Sequence, residues 1–499
     1  MLNMKTTDSP IIVGLDIGTT KVVAIAARKN QFGKLEVVGF GRADSHGVNH
    51  GVVQNLANCT DSIKKAVENL KENNPQLDVH NVYVGIAGQH IKSIPARGDR
   101  MRANADDIIT PEEVKLLIND QSKTHIPAGD QIIDIIPTEF SVDSHSNLSE
   151  KEVIGMNGTK FGANFHIITG DKSAIRNIER CVRDAGLKTI DIVLQPLASA
   201  ASVLADDDLE AGVVLVDIGG GTTDMAVFID DILQHTAVIP FAGANITNDI
   251  KVGLAVLKAH AELLKVQFGS AIADEASGNQ VISIPGIREL PARHLSCKNL
   301  SNIIQARMEE ILEYVVYHLK QNDLDKKLNG GIILTGGGSS LKNLKQLTEF
   351  KTGLNTRIGL PIEHLAGGFD PVLANPMYST CIGLILKGFS DIEKAQPFVA
   401  VSEEEVSEEE AGVAEGTLSE TKQSTHSVHP DNYSKPEENY KKFADKTLFD
   451  IDDENEQEPT AEKPPRKSVD IQKRLKSIFG SIKTNILELF TDKDDEQLN

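Results

Sequence analysis

The 499-residue chain contains no tryptophan, and aromatic residues make up only 4% of it. Hydrophobic residues still account for 40%, so the cores are expected to consist of Ile, Leu, Val and Ala. No apolar run reaches the about 18 residues that a membrane-spanning helix needs, and the N-terminal MLNMKTTDSP has no signal-peptide character. The sequence therefore predicts a chain of two or more globular domains that does not span a membrane.

Cysteine is also scarce, and basic residues are fewer than acidic ones. Cys59, Cys181, Cys297 and Cys381 have no paired spacing, which favours neither a zinc site nor a disulfide framework and agrees with a reducing cytoplasm. The net charge of −21 argues against general nucleic-acid binding. The excess is uneven, because residues 391–465 hold 21 acidic and 7 basic residues, which gives −14.

The most informative stretch is VLVDIGGGTTD, residues 214–224. It predicts a buried strand that ends in a glycine turn, where backbone N–H groups approach an anion and Asp217 and Asp224 can hold a hydrated cation. One such stretch could be an ordinary hairpin turn. However, IIVGLDIGTTKVVAIAA, residues 11–27, repeats the arrangement. Two copies predict two related half-domains that clasp one nucleotide polyphosphate.

The domain organisation follows from these copies. Residues 10–84 and 166–200 are predicted to form the first half-domain, residues 201–375 the second, and residues 376–390 a closing helix of the first. Residues 85–165 differ in character, with several arginines and a Thr-Pro-Glu-Glu helix start. We interpret them as an inserted subdomain, although they could be a longer part of the first domain.

A third glycine turn, LTGGGSSL, spans residues 334–341 between a predicted strand and helix. Its glycines allow a ribose or base to lie against the backbone, and the helix start offers free N–H groups to a phosphate. Taken alone, the turn could equally serve tight packing, but a third turn of this kind favours nucleotide binding. Two helices of small residues, within 194–205 and 377–389, are suited to cross closely between the half-domains.

Three polar residues carry two interpretations each. Gln195 could position a water near a phosphate, or it could cap the small-residue helix that follows. Glu262 and Lys265 lie three residues apart and therefore on one helix face, where they could contact a ligand or form a solvated ion pair.

This order of motifs resembles the superfamily of actin, Hsp70 and sugar-kinase ATPases. Over nearly all of residues 10–390 the chain resembles the FtsA family of bacterial cell-division proteins, on the segments GLDIGTTKV, NVYVGIAGQHI, DIIPTEFSVD, VIPFAGANITNDI, AELLKVQFG and PMYSTCIGLILKG. The resemblance implies an α/β, actin-like (ribonuclease H-like, duplicated) fold. Two half-domains would surround a nucleotide cleft, with an inserted FtsA-type subdomain and a disordered C-terminal tail.

The resemblance also implies ATP and Mg²⁺ in the cleft. Asp16 and Asp217 would hold the metal through water, and Gln195 would orient the attacking water, which makes these three the candidate catalytic residues. The polar side chain at position 195 is compatible with ATP hydrolysis but does not show that hydrolysis occurs. The predicted cofactor-binding residues are Asp16, Gly18, Thr19, Thr20 and Lys21; Asp217, Gly219, Gly220, Gly221 and Thr222; Glu262 and Lys265, toward ribose and base; and Gly336, Gly337, Gly338 and Ser339.

The partners implied are further copies of the chain in filaments, other divisome proteins, and the tubulin-like division protein FtsZ at the inner face of the cytoplasmic membrane. An acidic and apolar C-terminal peptide of FtsZ would need a basic and apolar patch on the second half-domain. Arg293, Ile304 and Arg307 are the candidates. The alternative is a core isoleucine between two solvated arginines.

The C-terminal region has two predicted parts. Residues 391–465 read as a disordered acidic linker, with a reach of roughly 45–50 Å as a flexible coil. Residues 466–490 regain helical periodicity, with one apolar face flanked by basic residues, which is typical of a helix lying in an anionic membrane surface. A helix packed on its own core would look similar. The predicted membrane contacts are Leu475, Ile478, Phe479, Ile482 and Ile486.

Two classes of function follow. The first is a membrane-tethered, nucleotide-dependent assembly adaptor, with weak ATPase activity linked to assembly as an open question. The second is a turnover ATPase, kinase or chaperone of the same superfamily. No substrate loop with a catalytic carboxylate stands out, and the region after residue 390 is acidic rather than a β-rich substrate domain. The adaptor is therefore favoured.

Overall fold

The computed structural model describes residues 9–72, 74–276, 281–284, 291–395 and 451–452. The predicted membrane helix and most of the predicted linker lie outside these residues. Within the described part of the chain, no helix combines the length and the apolarity that crossing a bilayer requires. The four cysteines are buried, and none of them forms a disulfide.

The first half-domain begins with the hairpin predicted from the DIGTT motif. Its two strands run antiparallel with Asp16 opposite Val23, and every residue of the first strand is buried. The following helix begins where the Asn55 side chain accepts the N–H of Asn58, and it turns Ile63 into the core. The elements are β1 (Ile12–Ile17), β2 (Lys21–Lys29), β3 (Leu35–Asp44), β4 (Val48–Asn49), β5 (Val52–Val53), α1 (Leu56–Lys71) and β6 (Asn81–Ile86).

After β6 the chain forms a separate antiparallel sheet. The Thr-Pro-Glu-Glu motif starts a helix through a capping box of Thr110 and Glu113. Phe140, Phe161 and Phe165 fill a core of its own. Its elements are β7 (Lys92–Met101), α2 (Pro111–Asp120), a 3₁₀ turn (Gln121–Lys123), β8 (Asp130–Val142), β9 (His145–Leu148), α3 (Glu150–Val153) and β10 (Lys160–Asp171), with sheet order β7-β10-β8-β9.

The chain then completes the first sheet. The returning strand lies parallel to β6, and the small-residue helix follows it directly. The elements are α4 (Lys172–Asp184), β11 (Lys188–Leu194) and α5 (Gln195–Val203), and the order of the first sheet is β11-β6-β1-β2-β3.

The second half-domain repeats this plan. Its elements are α6 (Asp206–Ala211), β12 (Val213–Ile218), β13 (Thr223–Ile229), β14 (Ile232–Ile239), α7 (Gly243–Leu254), α8 (Lys258–Phe268), β15 (Val281–Ile284), β16 (Arg293–Ser296), α9 (Cys297–Gln321), β17 (Gly331–Thr335), a 3₁₀ turn (Gly337–Ser340), α10 (Leu344–Thr352) and β18 (Thr356–Ile358). The order β14-β13-β12-β17-β18 matches β3-β2-β1-β6-β11 position by position. The predicted duplication is therefore confirmed.

The last helix returns to the first half-domain. Two 3₁₀ turns (Pro371–Ala374 and Pro376–Tyr378) lead into α11 (Ser379–Ala395), which packs on β1 and crosses α5. Ser202 donates its hydroxyl to the carbonyl of Ser379 at this crossing. A two-residue strand, β19 (Ile451–Asp452), pairs with β15.

Candidate functional site

The two Asp-Gly motifs fold into the same local structure. In the first, the N–H of Gly18 donates to the carbonyl of Lys21 at 3.0 Å, and in the second, the N–H of Gly219 donates to the carbonyl of Thr222 at 3.0 Å. Each turn follows a fully buried strand that ends in aspartate and isoleucine. The sequence repeat is thus a repeat of turn geometry.

The two turns face each other across a narrow cleft. A Cβ atom added to Gly220 would lie 2.5 Å from Cγ2 of Thr20, and one added to Gly221 would lie 2.2 Å from Oγ1 of Thr19. Only glycine allows this approach without displacing the opposite turn. The half-domains therefore present backbone and hydroxyl groups to one common space.

Buried carboxylates form the floor of this cleft. Burial raises the pKa of Asp16 to about 6, although Lys21 lowers it, and burial also raises the pKa of Asp217. Burial, and then the charge of Asp217, raise the pKa of Asp224 to about 8. Oδ1 of Asp224 is buried without a hydrogen-bond partner among the described residues. Lys21 lowers the pKa of Asp16 and of Asp217, yet burial keeps both raised, so a further positive charge would stabilise these carboxylates. In the described part of the chain no three acidic, His or Cys side chains converge to bind a metal ion directly, so a divalent cation would be held here through water, which suits the chemistry of carboxylates.

The small-residue helices supply polar groups to these carboxylates. Gln195, the first residue of α5, donates from Nε2 to Oδ1 of Asp16 at 2.9 Å, and the N-cap residue Leu194 provides no side-chain cap. One turn later, Ser199 donates to Oδ2 of Asp217 at 2.6 Å, and Thr380 of α11 donates to the same atom at 3.3 Å. Sequence reasoning missed Ser199 and Thr380. The spacing of Gln195 and Ser199 on one helix face was the available signal for the former.

The third glycine turn closes the cleft from the side of the second half-domain. Gly336 has φ +78°, and a Cβ there would lie 2.1 Å from Oδ1 of Asp217. Gly337 is more open, with Cβ of Met377 and Nζ of Lys21 at 3.7 and 3.8 Å from an added Cβ. The predicted residues that line one cleft are Asp16, Gly18, Thr19, Thr20, Lys21, Gln195, Asp217, Gly219, Gly220, Gly221, Thr222, Gly336 and Gly337.

Four predicted residues do not line this cleft. Ser339 is buried and donates to the carbonyl of Gly336 at 2.7 Å, so it closes the turn, and Gly338 packs on Ile218. Lys265 pairs with Glu262 at 2.8 Å. The two residues form an ion pair, but Lys265 is only 15% exposed and the pair is therefore not fully solvated. Contact of the pair with a ribose or base stays a prediction.

The Glu262–Lys265 pair is nevertheless linked to the second glycine turn through the start of α7. Nζ of Lys265 donates to the carbonyl of Gly243 at 3.1 Å and to Oγ1 of Thr247 at 3.0 Å. The N–H of Gly243 in turn donates to the carbonyl of Gly219 at 3.1 Å. The pair therefore fixes the start of α7 against the glycine turn.

The chain matches known proteins over most of its length. Residues 214–383 match the family model of cell division protein FtsA, and residues 88–169 match that of the SHS2 domain inserted in FtsA. Cell division protein FtsA of Pseudomonas aeruginosa is 37% identical over 378 residues, which cover 76% of this chain and 89% of that protein. The chain belongs to the FtsA family. The Escherichia coli K12 member is 30% identical over 405 residues, covering 78% and 95% of the two chains.

The fold agrees with this membership. The PilM-PilN type IV pilus biogenesis complex superposes with a TM-score of 0.55 at 16% identity, covering 76% of this chain and 98% of that one. The fold is actin-like, as predicted, and the inserted sheet β7-β10-β8-β9 corresponds to the SHS2 domain of the FtsA family.

One part of the predicted FtsA-type partner patch needs correction. Ile304 has no exposed surface, because α9 turns this face into the core between α7, α8 and the central sheet. Arg307 is only 12% exposed and is held by Asp249 at 2.6 Å and by Glu310. Arg293 is exposed on β16. The three side chains therefore do not form one surface in this conformation.

Proposed function

We propose that the chain is an ATP-binding, actin-like polymerising adaptor that tethers FtsZ filaments to the inner face of the cytoplasmic membrane at the division site. The observation that carries the proposal is the cleft between the two Asp-Gly turns, with buried carboxylates on its floor and Lys21 between its walls. Membership of the FtsA family supports the assembly and the divisome partners.

The cleft residues suit a magnesium nucleotide by their chemistry. Asp16 and Asp217 would hold Mg²⁺ through water, and the turn N–H groups would bind phosphate oxygens. When bound, Mg²⁺ would neutralise phosphate charge. Lys21 is half-buried and close to both carboxylates. Removal from water lowers its pKa, so an anionic phosphate beside it would favour its charged form.

Hydrolysis is the second function that an observation favours. Gln195 points its amide into the cleft from the start of α5 and bonds Asp16. From this position it would orient a water toward the terminal phosphate, and Asp16 would fix the amide. A weak ATPase linked to assembly is consistent with this geometry, whereas a kinase would need a second substrate site.

The proposal also includes attachment to the membrane and binding of FtsZ. The predicted amphipathic helix within residues 466–490 would lie on an anionic membrane, and the linker would let the folded part work at a distance from it. Each helix alone would bind reversibly, and polymerisation would multiply the attachment. In this proposal the protein is a peripheral component of the membrane surface.

Electron microscopy of the full chain with ATP and Mg²⁺ on anionic liposomes tests the whole proposal. We expect membrane-bound filaments that depend on nucleotide and that recruit FtsZ. Phosphate release measured in parallel separates the alternatives. Slow release linked to polymer formation, and reduced at least tenfold by Gln195→Ala, supports the adaptor. Steady release independent of protein concentration, without filaments, would favour a turnover enzyme instead.

A further inference from the structure

A two-residue turn beside the cleft touches three parts of the molecule. His50 and Gly51 connect β4 and β5, and both have left-handed backbones, with φ of 46° and 76°. Such a pair is typical of the tight turns that join two antiparallel strands. For histidine this conformation is uncommon, so surrounding contacts are needed to hold it.

The turn binds both walls of the cleft. Nδ1 of His50 donates to the carbonyl of Gly221 at 2.8 Å, because a carbonyl oxygen only accepts. The N–H of Gly51 points to Oγ1 of Thr19 at 3.4 Å. A residue of the first half-domain therefore bonds the glycine turn of the second, and its neighbour bonds the glycine turn of the first.

The other side of the turn packs on the entrance to the inserted subdomain. A Cβ added to Gly51 would lie 2.4 Å from the carbonyl oxygen of Ala87, and one added to Gly88 would lie 3.1 Å from the carbonyl oxygen of His50. Gly88 has φ +135°, and its carbonyl accepts the N–H of Ile91, so a tight bend leads into β7.

The last strand of the inserted subdomain, β10, ends beside the same bend. A Cβ on Gly170, near the end of β10, would lie 3.1 Å from Cδ1 of Ile91 and 3.4 Å from the ring of His90. The first and last strands of the inserted subdomain, β7 and β10, thus both adjoin the bend on which the His50–Gly51 turn packs.

We propose that the His50–Gly51 turn couples closure of the cleft to the position of the inserted subdomain. Opening the cleft separates Gly221 from His50, which frees the turn and removes its support from Ala87 and Gly88. Closing the cleft restores the hydrogen bond from His50 to Gly221 and the packing of the turn on Ala87 and Gly88. His50 does not line the cleft, so in this proposal it is a positioning residue. The inference rests on the proposed function for the identity of the ligand that closes the cleft.

Hydrogen exchange of the full chain tests the coupling, with and without Mg²⁺ and a non-hydrolysable ATP analogue. In the unaltered protein the analogue should slow exchange at both glycine turns and also, at least threefold, at residues 88–92. His50→Gly keeps a relaxed left-handed backbone but loses the ring, so protection should persist at the glycine turns and disappear at residues 88–92. His50→Asn should restore it, because asparagine tolerates this backbone and retains an N–H donor. Exposed His46→Ala is the matched control.

The outcomes separate the two proposals. If His50→Gly retained full protection at residues 88–92, or if the unaltered protein were protected only at the glycine turns, the coupling would be rejected while the nucleotide site stood. Absence of protection at the glycine turns of the unaltered protein would reject the nucleotide site, and the coupling with it.

Discussion

Gly383 lies directly on the backbone of Ala198, where α11 crosses α5: a Cβ at position 383 would be 1.7 Å from the carbonyl oxygen of Ala198. This crossing places Ser199 and Thr380 together on Asp217. Tight packing of the two helices is therefore part of how the cleft is built.

Gly383→Ala should consequently destabilise the folded part of the chain. The added methyl group meets backbone rather than a flexible side chain, so the helices must separate, at a cost of at least about 2 kcal/mol. We expect the Tm to fall by several degrees in thermal unfolding followed by circular dichroism. Gly367→Ala is the matched control, since a Cβ at Gly367 has open space around it. Equal Tm values for both variants would show that the crossing relaxes without cost.

The second prediction concerns the cleft. Asp217→Ala removes a carboxylate that would hold the hydrated metal, and Gly337→Asp places a charged side chain in the adenosine space. Each should reduce ATP affinity at least tenfold, about 1.4 kcal/mol. Calorimetry with Mg²⁺ and ATP measures this. Asp274→Ala, an exposed carboxylate of the same half-domain, should bind as the unaltered protein does, and unchanged affinity in both cleft variants would disprove the assignment.

The third prediction is a pH dependence from Asp224. Its pKa is raised from 3.8 to about 8 in the folded protein, so the neutral carboxyl stabilises the nucleotide-free fold fully below about pH 4, and this contribution is lost as the pH rises through about 8. We expect the Tm of the nucleotide-free protein to fall between about pH 4 and pH 8, the interval in which the folded state keeps this proton and the unfolded state has lost it. Asp224→Asn stays neutral and should flatten that fall.

Metal binding should show the opposite trend in the same window. A cation prefers the ionised carboxylates, so the affinity for Mg²⁺ with ATP should rise as Asp16 and Asp224 lose their protons above about pH 6 and 8. For the stability prediction, a Tm of Asp224→Asn that fell with pH as steeply as that of the unaltered protein would contradict the raised pKa of Asp224.

How far the sequence predicts this molecule depends on whether the determining contacts are local. The duplicated fold was predictable because the strand, aspartate and glycine turn near Asp16 and Asp217 are each encoded in one short stretch. Thr380 joins Asp217 across 163 residues, and the contact of His50 with Gly221 spans 171. No periodicity reveals such pairs, because they depend on how the half-domains close on each other.

The buried Ile304 was within reach of sequence reasoning. It lies in line with Leu300, Met308, Ile311 and Val315, which are all buried and have the spacing of one helix face. The pattern therefore favours the core isoleucine over a surface position. The arginine three residues later then falls beside Asp249, which no local pattern links to it.

The fourth prediction follows for the FtsZ peptide. Arg293→Glu should weaken binding of a labelled FtsZ tail peptide at least fivefold in fluorescence anisotropy, because it reverses an exposed charge without disturbing the core. Arg307→Glu would leave its side chain beside Asp249 and Glu310, and breaking this largely buried pair should cost roughly 3–5 kcal/mol of stability. Arg180→Glu, an exposed arginine of the first half-domain, is the charge control. Equal peptide affinity of the Arg293 and Arg180 variants would reject this site.

The last prediction is the membrane anchor, which lies outside the described residues and is argued from sequence. At 100° per residue the apolar positions from 471 to 490, except Leu487, share one face, and Phe479 lies within it. Phe479→Glu, or truncation after Pro465, should abolish co-sedimentation with anionic liposomes while ATP binding persists. Thr484→Glu, on the opposite face, adds the same charge and should weaken binding only slightly. Since each basic residue near anionic lipid contributes about 1 kcal/mol, high salt should reduce but not abolish the attachment. A truncated chain that pelleted as well as the full one would show that the membrane contact lies elsewhere.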